Sequence, residues 1–337
     1  MTAPRVSRRV LLLGSFATAL IGSAACGGAD STTPDPTPSA PVFPVSVAHT
    51  YGTTVIEAEP KRIVVVGYTE QDTLLALGLA PIATTQWYEE QPYAVWPWAI
   101  DLLGDAKPEV LDSADGLPLE KITELKPDLI LGTNAGLTEK NYQALTKIAP
   151  TIPSSGAYGS NTLEPWRVQT VLIGQAVGQE AEAQAMTEAL IQRFADTAAA
   201  HSQFAGVPAF FLQVPYDDGS AIVYPGGLAT DFLTDLGFTI PDVLESYISS
   251  DDGLAYLSPG DLDVLNKAKI LVFAGEDRDS EVDLTKIKAI SRLQAVKAGR
   301  AVYADDVLTG AIYFNSILSM PYMLDKLVPE LERVLPG

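Results

Sequence analysis

Side chains able to carry out covalent or metal chemistry are few in this chain: one cysteine, Cys26, and two histidines, His49 and His201. One thiol closes no internal disulfide, and so few thiols and imidazoles assemble no Cys-rich or His-rich metal cluster. The patterns G-x-S-x-G, H-E-x-x-H and G-x-x-x-x-G-K-[ST] are absent, and neither histidine sits in a serine-plus-acid pattern. An exported α/β hydrolase is thereby disfavoured, and it would need an activity that depends on His201. The chain is instead rich in aromatic and amide side chains placed just after short apolar runs: Tyr68, Thr69 and Gln71; Trp87 and Tyr88; Asn134, Ala135 and Leu137; Tyr158; then Tyr216, Tyr224, Arg278, Tyr313 and Asn315. Flat rings give large contact area at little entropic cost, so this set points to binding. A pure surface-interaction protein would leave these aromatic positions unexplained.

The apolar runs are what must position them. Ile63 to Val66, Leu129 to Gly132 and Ile270 to Phe273 are continuous and rich in branched residues, as in strands buried on both faces of a parallel sheet. Helices are expected between them, at Thr69–Leu79, Leu119–Leu125, Asn141–Ile148, Leu228–Leu236, Asp261–Lys267 and Leu284–Ile290, with a terminal helix over Ser316–Val334. A long Ala-rich helical stretch from Arg167 to about His201, with Gly174 and Gly178 as its weak points, separates two βα-repeating regions. The reading is an α/β fold of two lobes, residues 49–165 and 204–337, with mainly parallel sheets joined by one long helix over residues 166–203. In open α/β sheets ligands sit beyond the carboxyl ends of the strands, so the cleft between lobes is the expected site. Trp96 and Trp98, flanking Pro97, read either as ligand contacts or as a plug packing the lobes.

Residues 1–25 combine Arg5, Arg8 and Arg9 with an uncharged apolar run, the pattern of a secretory signal. The run is too short and too interrupted for a stable membrane span. Ser7-Arg8-Arg9-Val10-Leu11-Leu12 resembles a twin-arginine signal, with an ordinary Sec leader as the other route. Ser23-Ala24-Ala25-Cys26 looks like a lipobox, with Ser23 where leucine is usual, and residues 26–48 read as a lipidated, Pro- and Ser-rich tether. The whole chain has 42 acidic and 22 basic residues, a net charge of −20. Loss of Arg5, Arg8 and Arg9 takes the mature protein to about −23. Such a charge argues against nucleic-acid binding.

Several segments, taken in order, carry a family likeness. Pro60-Lys61-Arg62-Ile63-Val64-Val65, Leu119-Glu120-Lys121-Ile122, Lys126-Pro127-Asp128-Leu129-Ile130, Ile148-Ala149-Pro150-Thr151, Trp166 and Val296-Lys297-Ala298-Gly299-Arg300-Ala301-Val302-Tyr303 resemble the iron–siderophore substrate-binding lipoproteins of ABC importers. Tyr68-Thr69-Glu70-Gln71-Asp72 and Trp96-Pro97-Trp98 look most like the actinobacterial branch. The resemblance implies two α/β lobes bridged by a rigid helix and a binding protein without catalysis. Its ligand would be an iron(III)–siderophore complex, with no covalently bound cofactor and no protein ligand to the iron. It adds Trp166 to the ligand-binding candidates and implies delivery to an ABC permease and its ATPase by a monomer anchored to the membrane through Cys26. Docking would use Glu120 on the first lobe and Asp261 on the second, where the usual glutamate is missing.

Charge helps to choose the ligand. No Lys or Arg occurs between Arg62 and Lys107 or between Arg193 and Lys267, whereas Glu70, Asp72, Glu89, Glu90, Asp217 and Asp218 neighbour the candidate contacts. Catecholate-binding relatives present arginines from both lobes, and here chiefly Arg278 remains, with Lys140 and Arg167 behind it. A neutral or cationic ferric hydroxamate, of ferrioxamine type, fits this pattern better than a trianionic catecholate. Haem is the alternative ligand and cobalamin follows it.

Overall fold

Strands three to five residues long, buried on both faces, set the architecture of this computed structural model, which describes residues 43–87, 90–158, 164–214, 220–275 and 284–337. The leader, Cys26 and most of the tether, together with Tyr88, Glu89, Tyr216, Asp217, Asp218 and Arg278, lie outside the described residues. The first sheet is wholly parallel, in the order β5 (Glu109–Leu111), β4 (Ala83–Thr85), β3 (Ile63–Val65), β6 (Leu129–Gly132), β7 (Thr151–Pro153). Its side chains alternate between two apolar layers. Val65, Leu129 and Leu131 face a layer with Ile173, while Val64 and Ile130 face one with Ile122 and Leu145. Helices α1 (Glu70–Ala76), α2 (Leu119–Leu125) and α3 (Glu139–Leu145) connect these strands.

The second sheet runs β10 (Ala255–Leu257), β9 (Ala221–Tyr224), β8 (Ala209–Gln213), β11 (Ile270–Ala274), β12 (Ala301–Tyr303). Strands β8, β11 and β12 are parallel, and β9 and β10 are antiparallel additions at one edge. Phe211 and Val272 face one apolar layer, Phe210, Leu212, Leu271 and Phe273 the other. The helices of this region are α6 (Asp231–Asp235), α7 (Gln294–Lys297), α8 (Asp306–Phe314) and α9 (Ser319–Val334), with a 3-10 helix at Leu262–Lys267.

The connection between the two sheets differs in its bounds from the sequence reading. Residues 166–203 hold α4 (Trp166–Ala176) and α5 (Glu180–Ala200), so the long helix is α5, with 21 residues. Gly178, at φ +74°, ends α4 in the left-handed region that favours glycine. Gly174 lets the two helices touch, because a Cβ there would lie 2.2 Å from that of Ala183. Helix α4 packs on α1 and α5 on α6, so the turn at Gly178 divides the span between the two sheets. An antiparallel hairpin, β1 (Val45–His49) with β2 (Gly52–Ile56), and the separate α8 were not foreseen in the sequence.

Much of the motif set that carried the family likeness is structural. The Asp128 carboxylate accepts the backbone N–H groups of Lys61 and Arg62, both at 2.8 Å, and the Arg62 Nε donates to the Lys126 carbonyl at 3.0 Å. Lys126 itself is left-handed at φ +49° and closes α2. The Pro-Lys-Arg and Lys-Pro-Asp segments thus clasp the start of β3 to the start of β6.

Candidate ligand-binding site

A cavity of about 810 Å³ opens between the carboxyl ends of the two sheets. From the first it is lined by Trp87 after β4, Asn134 after β6 and Glu164-Pro165 before α4. The second contributes Gln213 and Tyr224 at the ends of β8 and β9, Leu228-Ala229, the turn Ser250–Leu254, and Ile312–Asn315 at the end of α8. Its wall is mainly aromatic and apolar, and no Lys, Arg or His is among the described lining residues.

Beneath the Asn134 side lies a buried polar frame. The Glu70 carboxylate, fully buried, accepts the Asn134 N–H at 2.8 Å, the Thr133 hydroxyl at 3.1 Å and the Thr69 N–H at 3.0 Å. Gln169 of α4 donates to the Thr69 and Thr133 hydroxyls at 2.8 and 2.9 Å, and Asn134 Nδ2 donates to Thr69 Oγ1 at 2.7 Å. Asn134 Oδ1 in turn accepts the Glu164 N–H at 2.6 Å. The frame fixes the backbone of two cavity-lining residues. Gly67 is part of it, since a Cβ there would stand 2.1 Å from Glu70 Oε1. Desolvation pushes the Glu70 carboxyl up, against the hydrogen bonds from Asn134 and Thr69 that favour its ionised form.

Next to this frame the two regions are pinned together. Asp72 of α1 is fully buried, and its Oδ2 accepts Trp98 Nε1 at 2.7 Å and the hydroxyl of Ser316, which lies between α8 and α9. Burial pushes the Asp72 carboxyl up to about 7, opposed by those two hydrogen bonds. Trp96 stacks on Trp98 with ring centres 5.0 Å apart, and Phe314 of α8 lies 5.5 Å from Trp98 and 5.3 Å from Trp87. Neither Trp96 nor Trp98 lines the cavity, which assigns this pair to packing between the regions. Trp96 packs closely against Gly310 of α8, where a Cβ would meet its ring at 2.4 Å.

Of the candidates from the sequence, Trp87, Asn134, Tyr224, Tyr313 and Asn315 line the cavity. Thr69 and Gln71 are buried in the supporting structure, the latter donating to the Tyr68 and Ala94 carbonyls at 3.0 and 3.2 Å. Tyr68 stands behind Trp87, at 6.1 Å between ring centres. Ala135 and Leu137 pack with the layer on Ile130, Tyr158 is exposed, and Trp166 is a core residue beneath the Arg167 guanidinium. Apart from Trp166, which opens α4, these positions follow strands as expected but turn into the supporting structure or outward instead of into the cavity.

The electrostatic reading needs one correction. Glu70 and Asp72 are fully buried beneath the wall and neither lines the cavity, and burial raises both carboxyls. The acidic edge is instead Asp251-Asp252, which the sequence reading missed along with Glu164, Gln213 and Phe314. Hydrogen bonds from the Tyr256 hydroxyl at 2.6 Å and the Leu254 N–H at 3.0 Å hold the Asp252 carboxyl below its ordinary value, so it is ionised at neutral pH. Glu164 is largely occupied by Ser155, whose hydroxyl it accepts at 2.7 Å. The two histidines are structural: His49 Nε2 is 2.9 Å from Thr54 Oγ1, and His201 stacks on Phe204 and reaches Glu332 at 2.9 Å. Glu120 at the start of α2 and Asp261 before the 3-10 helix are both exposed.

The profile of the periplasmic binding protein family matches residues 63–308. A solved periplasmic solute-binding protein from Mycobacterium smegmatis is 38% identical and superposes with a TM-score of 0.80 over 86% of this chain and 98% of its own. Among curated proteins, the Bacillus subtilis "Probable siderophore-binding lipoprotein YfiY" is 25% identical over 330 residues, 95% of this chain and 97% of the relative. The "Iron(3+)-hydroxamate-binding protein YxeB" of the same organism is 30% identical over 151 residues, 44% of this chain and 41% of the relative.

Proposed function

The chain belongs to the periplasmic binding protein family, and from that premise we propose that it captures a ferric siderophore between its lobes and delivers it to an ABC importer. The reading is of a binding protein without catalysis, its ligand a neutral or cationic ferric hydroxamate. The observation that carries it is the cavity: about 810 Å³, walled by Trp87, Tyr224, Tyr313 and Phe314, with no basic side chain among the described lining residues and with Asp251 and Asp252 at its edge. Rings cover the apolar skirt of a hydroxamate chelate, and the carboxylates favour a neutral or cationic complex over a trianion. The names borne by the siderophore-binding and hydroxamate-binding relatives support the same ligand class.

Haem would ask this wall for an iron ligand. No imidazole is among the described lining residues, and burial pushes the Tyr224 hydroxyl up, away from the tyrosinate that ferric haem prefers. The exposed Glu120 and Asp261 are the proposed permease contacts, and Cys26 the proposed lipid anchor that holds the protein outside the membrane.

Calorimetric titration of residues 43–337 with ferrioxamine, a ferric catecholate and haem tests the reading. Tight one-to-one binding of ferrioxamine alone is the expected result. Preference for the catecholate would discard the electrostatic argument, and preference for haem would replace the ligand class.

A further inference from the structure

The acidic character of the chain is not uniform. Residues 284–304 hold Lys286, Lys288, Arg292, Lys297 and Arg300 and no acid, and residues 262–275 add Lys267 and Lys269 with Asp263 as their one acid. The five acids between these stretches, in residues 276–283, follow the carboxyl end of β11 in the chain. Lys267, Lys269 and Arg300 converge on a second cavity, of about 220 Å³, which Asn266 and Gln294 also line.

This second cavity lies at the opposite end of the sheet from the ligand site. Pro208, Lys269 and Arg300 immediately precede β8, β11 and β12, the three neighbouring parallel strands, whereas Gln213 at the far end of β8 lines the large cavity. Backbone hydrogen bonds hold these starts together, Lys269 N–H to the Pro208 carbonyl at 2.8 Å and Leu271 N–H to the Arg300 carbonyl at 3.2 Å. Five residues of strand, roughly 16 Å, separate the two cavities.

The cations at this end stand out by lining one cavity together. Lys61, Lys121, Arg167, Arg193 and Arg333 each reach a carboxylate of this chain. Among the described residues, no carboxylate forms an ion pair with Lys267, Lys269, Arg292, Lys297 or Arg300; the first four are exposed and Arg300 is half-buried. Arg62, Lys107, Lys126, Lys140, Lys147 and Lys326 also form no ion pair among the described residues, but they do not share a cavity with one another. Like charges held together without counterions favour an anionic partner. The number of residues between the proposed anchor and the fold points to the membrane: the 19 residues from Cys26 to Pro44 span at most about 65 Å when extended. That reach lets the body lie on the surface that anchors it. Acidic side chains on the rest of the body do not prevent this, since at physiological salt charges beyond about 8 Å from the surface are screened.

We propose that the base of the second lobe, centred on Lys267, Lys269 and Arg300, docks on anionic phospholipid headgroups, which turns the large cavity away from the bilayer toward incoming ligand. The orientation rests on the reading of this chain as a membrane-anchored binding protein, but the surface itself can be tested without the anchor. Each basic side chain near an anionic bilayer strengthens association by about fivefold.

Residues 43–337 suffice for the test, because every apolar layer of the fold is made from them. Co-sedimentation with phosphatidylglycerol-containing vesicles should exceed that with pure phosphatidylcholine vesicles and vanish in about 1 M salt, where the Debye length is about 3 Å. The triple variant Lys267→Glu, Lys269→Glu, Arg300→Glu should lose at least tenfold in binding, with Lys267→Gln, Lys269→Gln, Arg300→Gln in between. A first-lobe triple, Lys61→Glu, Lys107→Glu, Lys121→Glu, should bind as the parent does. Ferrioxamine titration of the same variants reports on the fold and on the ligand site independently. Equal binding to both vesicle types, an unaffected second-lobe triple, or displacement by millimolar inorganic phosphate, which would mean a pocket for free phosphate, would each overturn the proposal.

Discussion

Replacing Asp72 with asparagine should make the protein less sensitive to pH and more stable at pH 8 than its parent. In the folded state Asp72 is fully buried, with its carboxyl pushed up to about 7 from an ordinary 3.8. A group whose folded pKa is raised keeps its proton where the unfolded chain has lost it, so its contribution is fullest below about pH 4 and declines as pH rises to about 7. Three pH units of difference correspond to at most about 4 kcal/mol, at about 1.4 kcal/mol per unit. Asparagine has the shape of the protonated acid. Its Oδ1 can accept Trp98 Nε1 and the Ser316 hydroxyl as Asp72 Oδ2 does, and its Nδ2 takes the place of Asp72 Oδ1, which has no hydrogen-bond partner. Urea unfolding at pH 5, 6, 7 and 8 reads the effect. The variant's stability relative to the parent should rise by about 2–3 kcal/mol between pH 5 and pH 8, since about 1–2 kcal/mol of the linkage is already in place at pH 5. Glu70 is also raised and weakens the fold in the same direction, but it is common to both proteins and cancels in their difference. Parallel pH profiles would refute the reasoning, because they would mean that Asp72 ionises in the fold as freely as in water.

Three further substitutions and one control, Gly226→Ala, probe the cavity and the contact beside it. Gly310→Ala places a Cβ 2.4 Å from the Trp96 ring and should cost about 1–3 kcal/mol in urea unfolding, whereas Gly226→Ala, with nothing within 4 Å, should cost little. Trp87→Ala removes a ring from the cavity wall and should weaken ferrioxamine binding about tenfold with little change in melting temperature, since Trp87 is only half-buried. Asp251→Lys reverses charge at the cavity edge; it should weaken ferrioxamine and strengthen a ferric catecholate, each by severalfold, and lose that contrast in high salt.

Strands buried on both faces were legible because an unbroken apolar run is a local property: β3, β6 and β11 fall where their sequences place them. Helix α2 was equally plain, bounded by Pro118 and by Lys126-Pro127. The antiparallel edge β9–β10 was less so, because a three-residue strand such as Ala255–Leu257 has too few positions to show a period. That gap also concealed Ser250–Leu254, a cavity wall with no foreseen strand before it. Gly178 was visible as a weak point, but whether it bends the chain depends on how α4 and α5 pack, which is not a local property. Glu70 and Asp72 were misread for a similar reason. A carboxylate in a polar stretch looks solvated, and only the convergence of Thr133, Asn134, Trp98 and Ser316 from distant segments places it in the interior.

The most direct test of ligand capture between the lobes is a fluorescence titration of residues 43–337 and of the variant Ala229→Arg with ferrioxamine. Ala229 lines the large cavity and is exposed there, so the longer cationic side chain fills space and adds charge without disturbing an apolar layer. The account predicts saturable quenching in the parent and at least a tenfold weaker response in the variant, with matching unfolding curves. Equal affinity in both proteins would place the ligand elsewhere and contradict the account.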